Sequence, residues 1–172
     1  RSRYRDGRIG GYTSRLHYIA EWVESGVKNG FIEDVTAACS PDTLTLQLSF
    51  MSTHPDAYRH LKSSPENVRK MQDIEARLSG RSFYYLPKDK ITDEGPDWIK
   101  DGDIFCITTR IAGLDVVHLG FACHRDGQLK LLHASSSYKQ VTLSKGSFAQ
   151  MFRQNDSWTG VRVLRLKQSP RP

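Results

Sequence analysis

DVVHLGFACHRDGQLKLLHASS, residues Asp115–Ser136, is the stretch whose reading decides the fold. Val117, Leu119, Phe121 and Cys123 alternate with Val116, His118, Gly120 and Ala122, the period of a half-buried strand. Asp126-Gly127 then supplies a dipeptide that tolerates the positive φ angles of a two-residue hairpin turn, and a second strand follows it. That turn sets Arg125 opposite Gln128, hence Gly120 opposite His133 and His118 opposite Ser135. The two imidazoles then share one face as diagonal neighbours, with Cα atoms roughly 7–8 Å apart. A slip of one residue would separate them, because it moves one strand's set to the other face. Val117, Leu119, Phe121, Leu132 and Ala134 make the opposite face the more apolar. The core is therefore expected there, with the histidines over a cleft floored by Gly120 and Ala122.

Working outward, Gly102-Asp103 opens a strand to about Thr109 that feeds the hairpin. Tyr138–Leu143 and Val161–Leu166 read as further strands, and Phe148, Met151 and Phe152 mark a short helix. Towards the N-terminus, Thr13 or Ser14 is a plausible N-cap for a helix in which Leu16, Ile19, Trp22, Val23 and Val27 recur at helical spacing before Asn29-Gly30. Phe31–Ala38 and Leu44–Phe50 read as strands, and Asp56–Leu61 as a short helix. Ser64-Pro65-Glu66 combines an N-cap, a first-turn proline and a first-turn acid, ahead of the apolar face Val68, Met71, Ile74 and Leu78. Ser82–Leu86 is a short aromatic strand and Gln168–Pro172 a tail. With no internal repeat and no linker, residues 1–172 read as one α+β domain.

A chain of 172 residues can bury a core without disulfide staples. Its three cysteines stand at unrelated spacings that fit neither a disulfide framework nor a zinc ribbon. No apolar run approaches the length of a membrane span, so an integral membrane protein is not expected. Lys and Arg number 25 against 19 Asp and Glu, a formal charge of +6. The basic residues are scattered and not interleaved with aromatics, so the excess reads as a solvated surface and no nucleic-acid partner is expected. The start, RSRYRDGR, shows neither an initiator Met nor a signal-peptide pattern, as in a processed or truncated chain.

Two imidazoles on one cleft face permit nucleophilic catalysis, in which His118 takes a proton from a thiol or hydroxyl and His133 holds its tautomer and orientation. They also permit a metal site, but the further candidates Asp115, His17 and His54 lack ligand spacing, and no metal or other cofactor is expected. A third possibility is that both are satisfied by neighbours and do no chemistry. No nucleophile stands out. Cys123 falls on the face opposite His118, Cys106 sits inside a strand, and Cys39 precedes a turn. Ser135 is cross-strand to His118 but lacks the sharp elbow that usually presents a hydroxyl nucleophile.

The segments RYRDGRIGGYTSRLHY (Arg3–Tyr18), FMSTHP (Phe50–Pro55), FYYLPKDKI (Phe83–Ile91), GDI around Asp103, GLDVVHLGFA and LLHASS occur in one order. In this the chain resembles the bacterial N-acetylmuramoyl-L-alanine amidase-like family, a branch of the NlpC-related, papain-like cysteine hydrolases. The resemblance implies a papain-like α+β fold, an antiparallel sheet or half-barrel with helices packed on it. It implies metal-free hydrolysis of the amide joining N-acetylmuramic acid to L-alanine in peptidoglycan fragments. His118 becomes the general base and His133 the orienting member. Tyr12, Ser14, Arg15, His17 and Tyr18, with Ser135, are placed around the substrate. The family's nucleophilic cysteine precedes the RYRDG-like motif, so the chain is expected to be the C-terminal portion of the amidase domain and to need the absent N-terminal segment as a partner. The implied location is the periplasm or cell envelope. A stem-peptide endopeptidase with the same machinery and a non-catalytic peptidoglycan-binding module are the alternatives.

Overall fold

The structure, a computed structural model that describes residues 2–167, is a mixed α+β arrangement of antiparallel strands and packed helices. The tail expected at Gln168–Pro172 lies outside the described residues. In chain order the elements are α1 (Ile19–Lys28), β1 (Ile32–Asp34), α2 (Thr36–Cys39), β2 (Thr43–Thr45), α3 (Phe50–Thr53), α4 (Arg59–Lys62), α5 (Pro65–Leu78), β3 (Ser82–Tyr84), β4 (Leu86–Pro87), β5 (Ile104–Thr109), β6 (Val116–Arg125), β7 (Gln128–Ser135), β8 (Gln140–Leu143), α6 (Phe148–Arg153) and β9 (Trp158–Leu166). Among the described residues, a seven-stranded sheet runs β1-β9-β5-β6-β7-β8, with β4 also paired to β9, and β2-β3 form a separate ribbon. Every strand pair is antiparallel.

The hairpin forms with the register that its turn dictates. Asp126 and Gly127 both take positive φ, 54° and 72°, and Arg125 pairs with Gln128 through to Phe121 with Leu132. The core, however, lies on the histidine face. Gly120, Ala122, Leu129 and Leu131 are buried, whereas Leu119, Phe121 and Leu132 on the other face are exposed. What decides a sheet face is what packs on it. On the histidine side Leu129, Leu131, Phe105 and Ile107 meet Phe148, Ala149 and Phe152 of α6 in the largest core cluster. The small residues of β6 make room for those large ones: a Cβ on Gly120 would stand 2.6 Å from Leu131 Cδ1 and 2.8 Å from the Leu132 carbonyl oxygen.

On the other face α1 covers only the β1-β9-β5 half, packing Ile19, Val23 and Trp22 against Ile32, Cys106 and Leu164. β5 is thus buried on both sides, which is why IFCITT reads as a nearly continuous apolar run. A third cluster joins α5, α3 and the β2-β3 ribbon through Met71, Ile74, Leu78, Met51, Leu46 and Phe83.

Local reading and structure part where tertiary groups intervene. α1 begins at Ile19, later than a Thr13 or Ser14 cap would start it, because the Ser14 hydroxyl is engaged in its own turn. It accepts from the Gly10 N–H at 3.1 Å and donates to the Gly11 carbonyl at 2.7 Å. Asp115 from the start of β6 supplies the helix with its acceptor instead. The strand expected at Phe31–Ala38 stops at Asp34, whose carboxylate accepts the Thr36 N–H and turns the chain into α2. The strand expected at Leu44–Phe50 keeps only Thr43–Thr45, and Phe50–Thr53 coils into α3. There the Tyr18 hydroxyl accepts the Met51 N–H and Glu75 accepts the Ser52 N–H, satisfying donors that a helix start leaves open. α5 forms as its signals indicate, with Ser64 accepting the Asn67 N–H.

Candidate active site

His118 and His133 meet directly. His118 Nε2 and His133 Nδ1 are 2.7 Å apart, one ring N–H donating to the other ring's lone pair, with the rings nearly perpendicular. β6 bulges beside His118: Ile107 pairs with His118, but Thr108 pairs with Val116. Such a bulge re-aims a side chain. Trp158, which opens β9, lies almost parallel to the His118 ring at 6.2 Å and is locked edge-on against Phe152. Burial pushes both imidazoles below the usual histidine value, and the neighbouring His133 pushes His118 further down. At neutral pH the pair is therefore uncharged and able to accept a proton. With Nε2 engaged by His133, the free ring nitrogen of His118 is Nδ1.

The pair lies on a cleft of about 530 Å³. Ser135, whose hydroxyl accepts the Tyr138 N–H, stands on its wall with Ser136 and Ser137. Gln150, Gln154 and Asn155 line it from the end of α6, and Lys145 is the one charged side chain among the described residues that line it. Sequence reasoning missed Trp158, Lys145 and these amides. The amides had a signal, since Gln150 and Gln154 stand one turn apart, opposite the buried Phe148 and Phe152. Trp158 had none, because it reaches His118 only through the β5-β9 pairing.

No cysteine among the described residues lines this cleft. Cys106 pairs with Leu119 on the face opposite His118, and its burial pushes the thiol up to about 12. Cys123 also stands on that opposite face, paired with Lys130, and Cys39 is exposed at the end of α2. His54 and Asp115 are otherwise engaged. His54 meets the Phe50 carbonyl, and Asp115 accepts backbone N–H groups from Ala20 and Val116. Among the described residues no three His, Cys, Asp or Glu side chains gather as a metal site would require.

The residues singled out in the first motif divide. Tyr12, Arg15 and His17 line a second cleft, about 600 Å³, beside Gly10, Gly11 and His60. Tyr18 is 2% exposed, and its hydroxyl donates to Glu75 at 2.6 Å. Ser14 holds the glycine turn. The two clefts share no lining residue, but Asp115, three residues before His118, binds Ala20, three residues after His17.

The site is thus a hydrogen-bonded histidine pair over a polar cleft in a mixed α+β fold, an arrangement whose chemistry allows a proton to be accepted and passed on. Matching the family by its model over residues 1–161, the chain belongs to the AmiA-like, N-acetylmuramoyl-L-alanine amidase-like family. Among solved structures, it is similar to an N-acetylmuramoyl-L-alanine amidase from Bacteroides uniformis ATCC 8492, with 57% identity and a TM-score of 0.95 over 96% of this chain and 70% of that one. It is also similar to a candidate xylanase from Bacteroides fragilis, with 55% identity and a TM-score of 0.94 over 96% of this chain and 72% of that one. A Legionella pneumophila protein shares the fold alone, at 21% identity and a TM-score of 0.66, over 97% of this chain and 67% of that one. No curated protein matches. Among the described residues no helix is long and apolar enough to cross a membrane.

Proposed function

We propose that this chain supplies the acid–base half of a cysteine amidase that hydrolyses the N-acetylmuramoyl–L-alanine bond of peptidoglycan fragments, in a papain-like, NlpC-related arrangement. The observation that carries the proposal is the 2.7 Å contact between His118 Nε2 and His133 Nδ1, which leaves His118 Nδ1 as the free base. The thiol belongs to a segment outside this chain. Its proton passes to His118 Nδ1, and the thiolate attacks the lactyl carbonyl carbon. The resulting imidazolium returns the proton to the departing L-alanine nitrogen as the C–N bond breaks. Water then gives a proton to His118 and attacks the thioester, which releases the lactyl carboxylate and restores the thiol. His133 orients the ring and keeps the free lone pair on Nδ1.

Two supports come from the cleft. Its seryl hydroxyls and amide side chains suit an amide- and hydroxyl-rich ligand, with Ser135 nearest the histidine pair in the chain. A glycosidase, the activity that the Bacteroides fragilis neighbour's name suggests, needs two carboxyl groups flanking the bond, and none stands among the described residues that line this cleft. Tyr12, Arg15 and His17 extend the binding surface to the second cleft, and Ser14 and Tyr18 hold the loop that presents them. The substrate assigns the protein to the periplasm or envelope. Mass spectrometry of muropeptides incubated with the full-length protein tests the proposal. Release of an intact stem peptide from the sugar is expected, whereas cleavage between amino acids would make the protein an endopeptidase and no cleavage a binding module.

A further inference from the structure

The second cleft lies between the N-terminal glycine loop and α4. Tyr12 is its centre: its ring meets His17 at 4.4 Å and His60 at 5.0 Å, both at a tilt, joining the loop to α4 by aromatic contact. His17 is half-buried, and burial pushes its pKa down. Its Nε2–H donates to the Tyr12 carbonyl at 3.0 Å. The charge in this cleft is Arg15. Arg15 is exposed, and among the described residues no carboxylate stands within salt-bridge distance of it. No Asp or Glu is among the described residues that line the cleft. Nearby, Arg5 and Arg77 bind Glu21, Arg81 binds Glu24, and Arg3 lies over the Trp22 ring. In a concave, aromatic-walled site the planar fork of an exposed guanidinium matches a carboxylate in two parallel hydrogen bonds.

We propose that this cleft is a carboxylate subsite for the stem peptide, in which Arg15 takes a free carboxylate while the Tyr12 and His60 rings seat the adjoining peptide. The inference rests on the peptidoglycan reading for the identity of the ligand, and it assigns to His60 and Tyr4 a binding role that the resemblance does not give them. Tyr4 also lines the cleft. The Asp115–Ala20 hydrogen bond ties the start of α1, just after this loop, to the strand that carries His118.

The test uses the full-length protein in calorimetric titrations with the tripeptide L-Ala–D-Glu–L-Lys and with the same peptide after amidation of its carboxylates. The free acid is expected to bind at least about tenfold more tightly, as a charge-assisted pair predicts. Arg15→Gln should abolish that preference, Arg15→Lys should restore part of it, and His60→Ala should weaken both peptides alike. Equal binding of acid and amide, no binding of either, or an unchanged preference in Arg15→Gln overturns the proposal. Inorganic phosphate is the competitor: displacement of the peptide at equal concentration would make this a general anion site and overturn the carboxylate assignment. The amidase reading fails separately, by intact muropeptides in the mass-spectrometric assay, whatever the titrations give.

Discussion

Asp115 Oδ2 accepts the backbone N–H of Ala20 at 2.7 Å, joining the first strand of the histidine hairpin to the first turn of α1 across 95 residues of sequence. Its other oxygen accepts the Val116 N–H at 2.8 Å, so one carboxylate serves as remote cap and strand anchor. Asp115→Ala leaves the Ala20 donor without its acceptor and should cost roughly 1–3 kcal/mol. Thermal unfolding measures the loss, and hydrogen exchange should localise it to Ile19 and Ala20. Exchange that rises evenly over the whole chain would refute the capping role.

Gly120 tests which face of β6 carries the core. Gly120→Ala places a methyl against Leu131 and the Leu132 carbonyl, and it should destabilise by about 1–3 kcal/mol through overpacking. Phe121→Ser, at an exposed position on the other face, should change stability by much less. Denaturant titrations compare the two, and a reversed order would return the core to the Leu119 face.

The contrast marks what local sequence can carry. The turn, the register and the meeting of His118 with His133 were legible because Asp126-Gly127 sets them within a few residues. The buried face was not, since Leu119 and Phe121 are more apolar than Gly120 and Ala122 yet nothing among the described residues covers them. The buried side is decided by α6, which arrives later in the chain. The cap of α1 was illegible for the same reason: its acceptor comes from Asp115, while Ser14 satisfies its own turn. The strand signals at Leu46 and Leu48 did mark buried residues, but in irregular backbone packed on α5.

Trp158 is positioned to act on both stability and the site. Trp158→Ala removes a nearly buried indole from beside Phe152 and His118 and should cost about 3–5 kcal/mol. Trp158→Phe keeps an aromatic wall and should unfold near the wild-type temperature while turning over muropeptide more slowly. Calorimetry and steady-state assays separate the effects. An unaltered turnover in Trp158→Phe would show that the indole does not hold the His118 ring in place.

Tyr18 donates to Glu75 in the core between α1 and α5, while its oxygen also accepts the Met51 N–H. Burial and the Glu75 hydrogen bond together raise its pKa above the usual tyrosine range, so the hydroxyl stays protonated. Tyr18→Phe strips a donor from a buried carboxylate and an acceptor from α3, and it should cost about 1.5–3 kcal/mol. The KM for muropeptide should change little, because this hydroxyl reaches substrate only through the loop it braces. A rise in KM without loss of stability would give Tyr18 a direct contact.

The histidine pair makes the sharpest prediction, because its protonation is set by its surroundings. Both pKa values lie below the usual 6.5 through burial, and His133 lowers that of His118 further. The base is therefore neutral above that range, and kcat/KM should fall only as pH drops below about 6.5. Stability follows the same sign. A histidine whose folded pKa is depressed contributes stability that is complete above its unfolded pKa and lost as pH falls through the folded one. NMR titration of the ring protons should give both midpoints below 6.5, and His133→Gln should move the His118 midpoint up. His118→Ala should reduce turnover by roughly 10²–10⁴-fold. If His133→Gln left the His118 midpoint in place, or if His118→Ala kept wild-type turnover, the division of labour between base and orienter would be wrong. The 2.7 Å contact would then be a structural hydrogen bond alone.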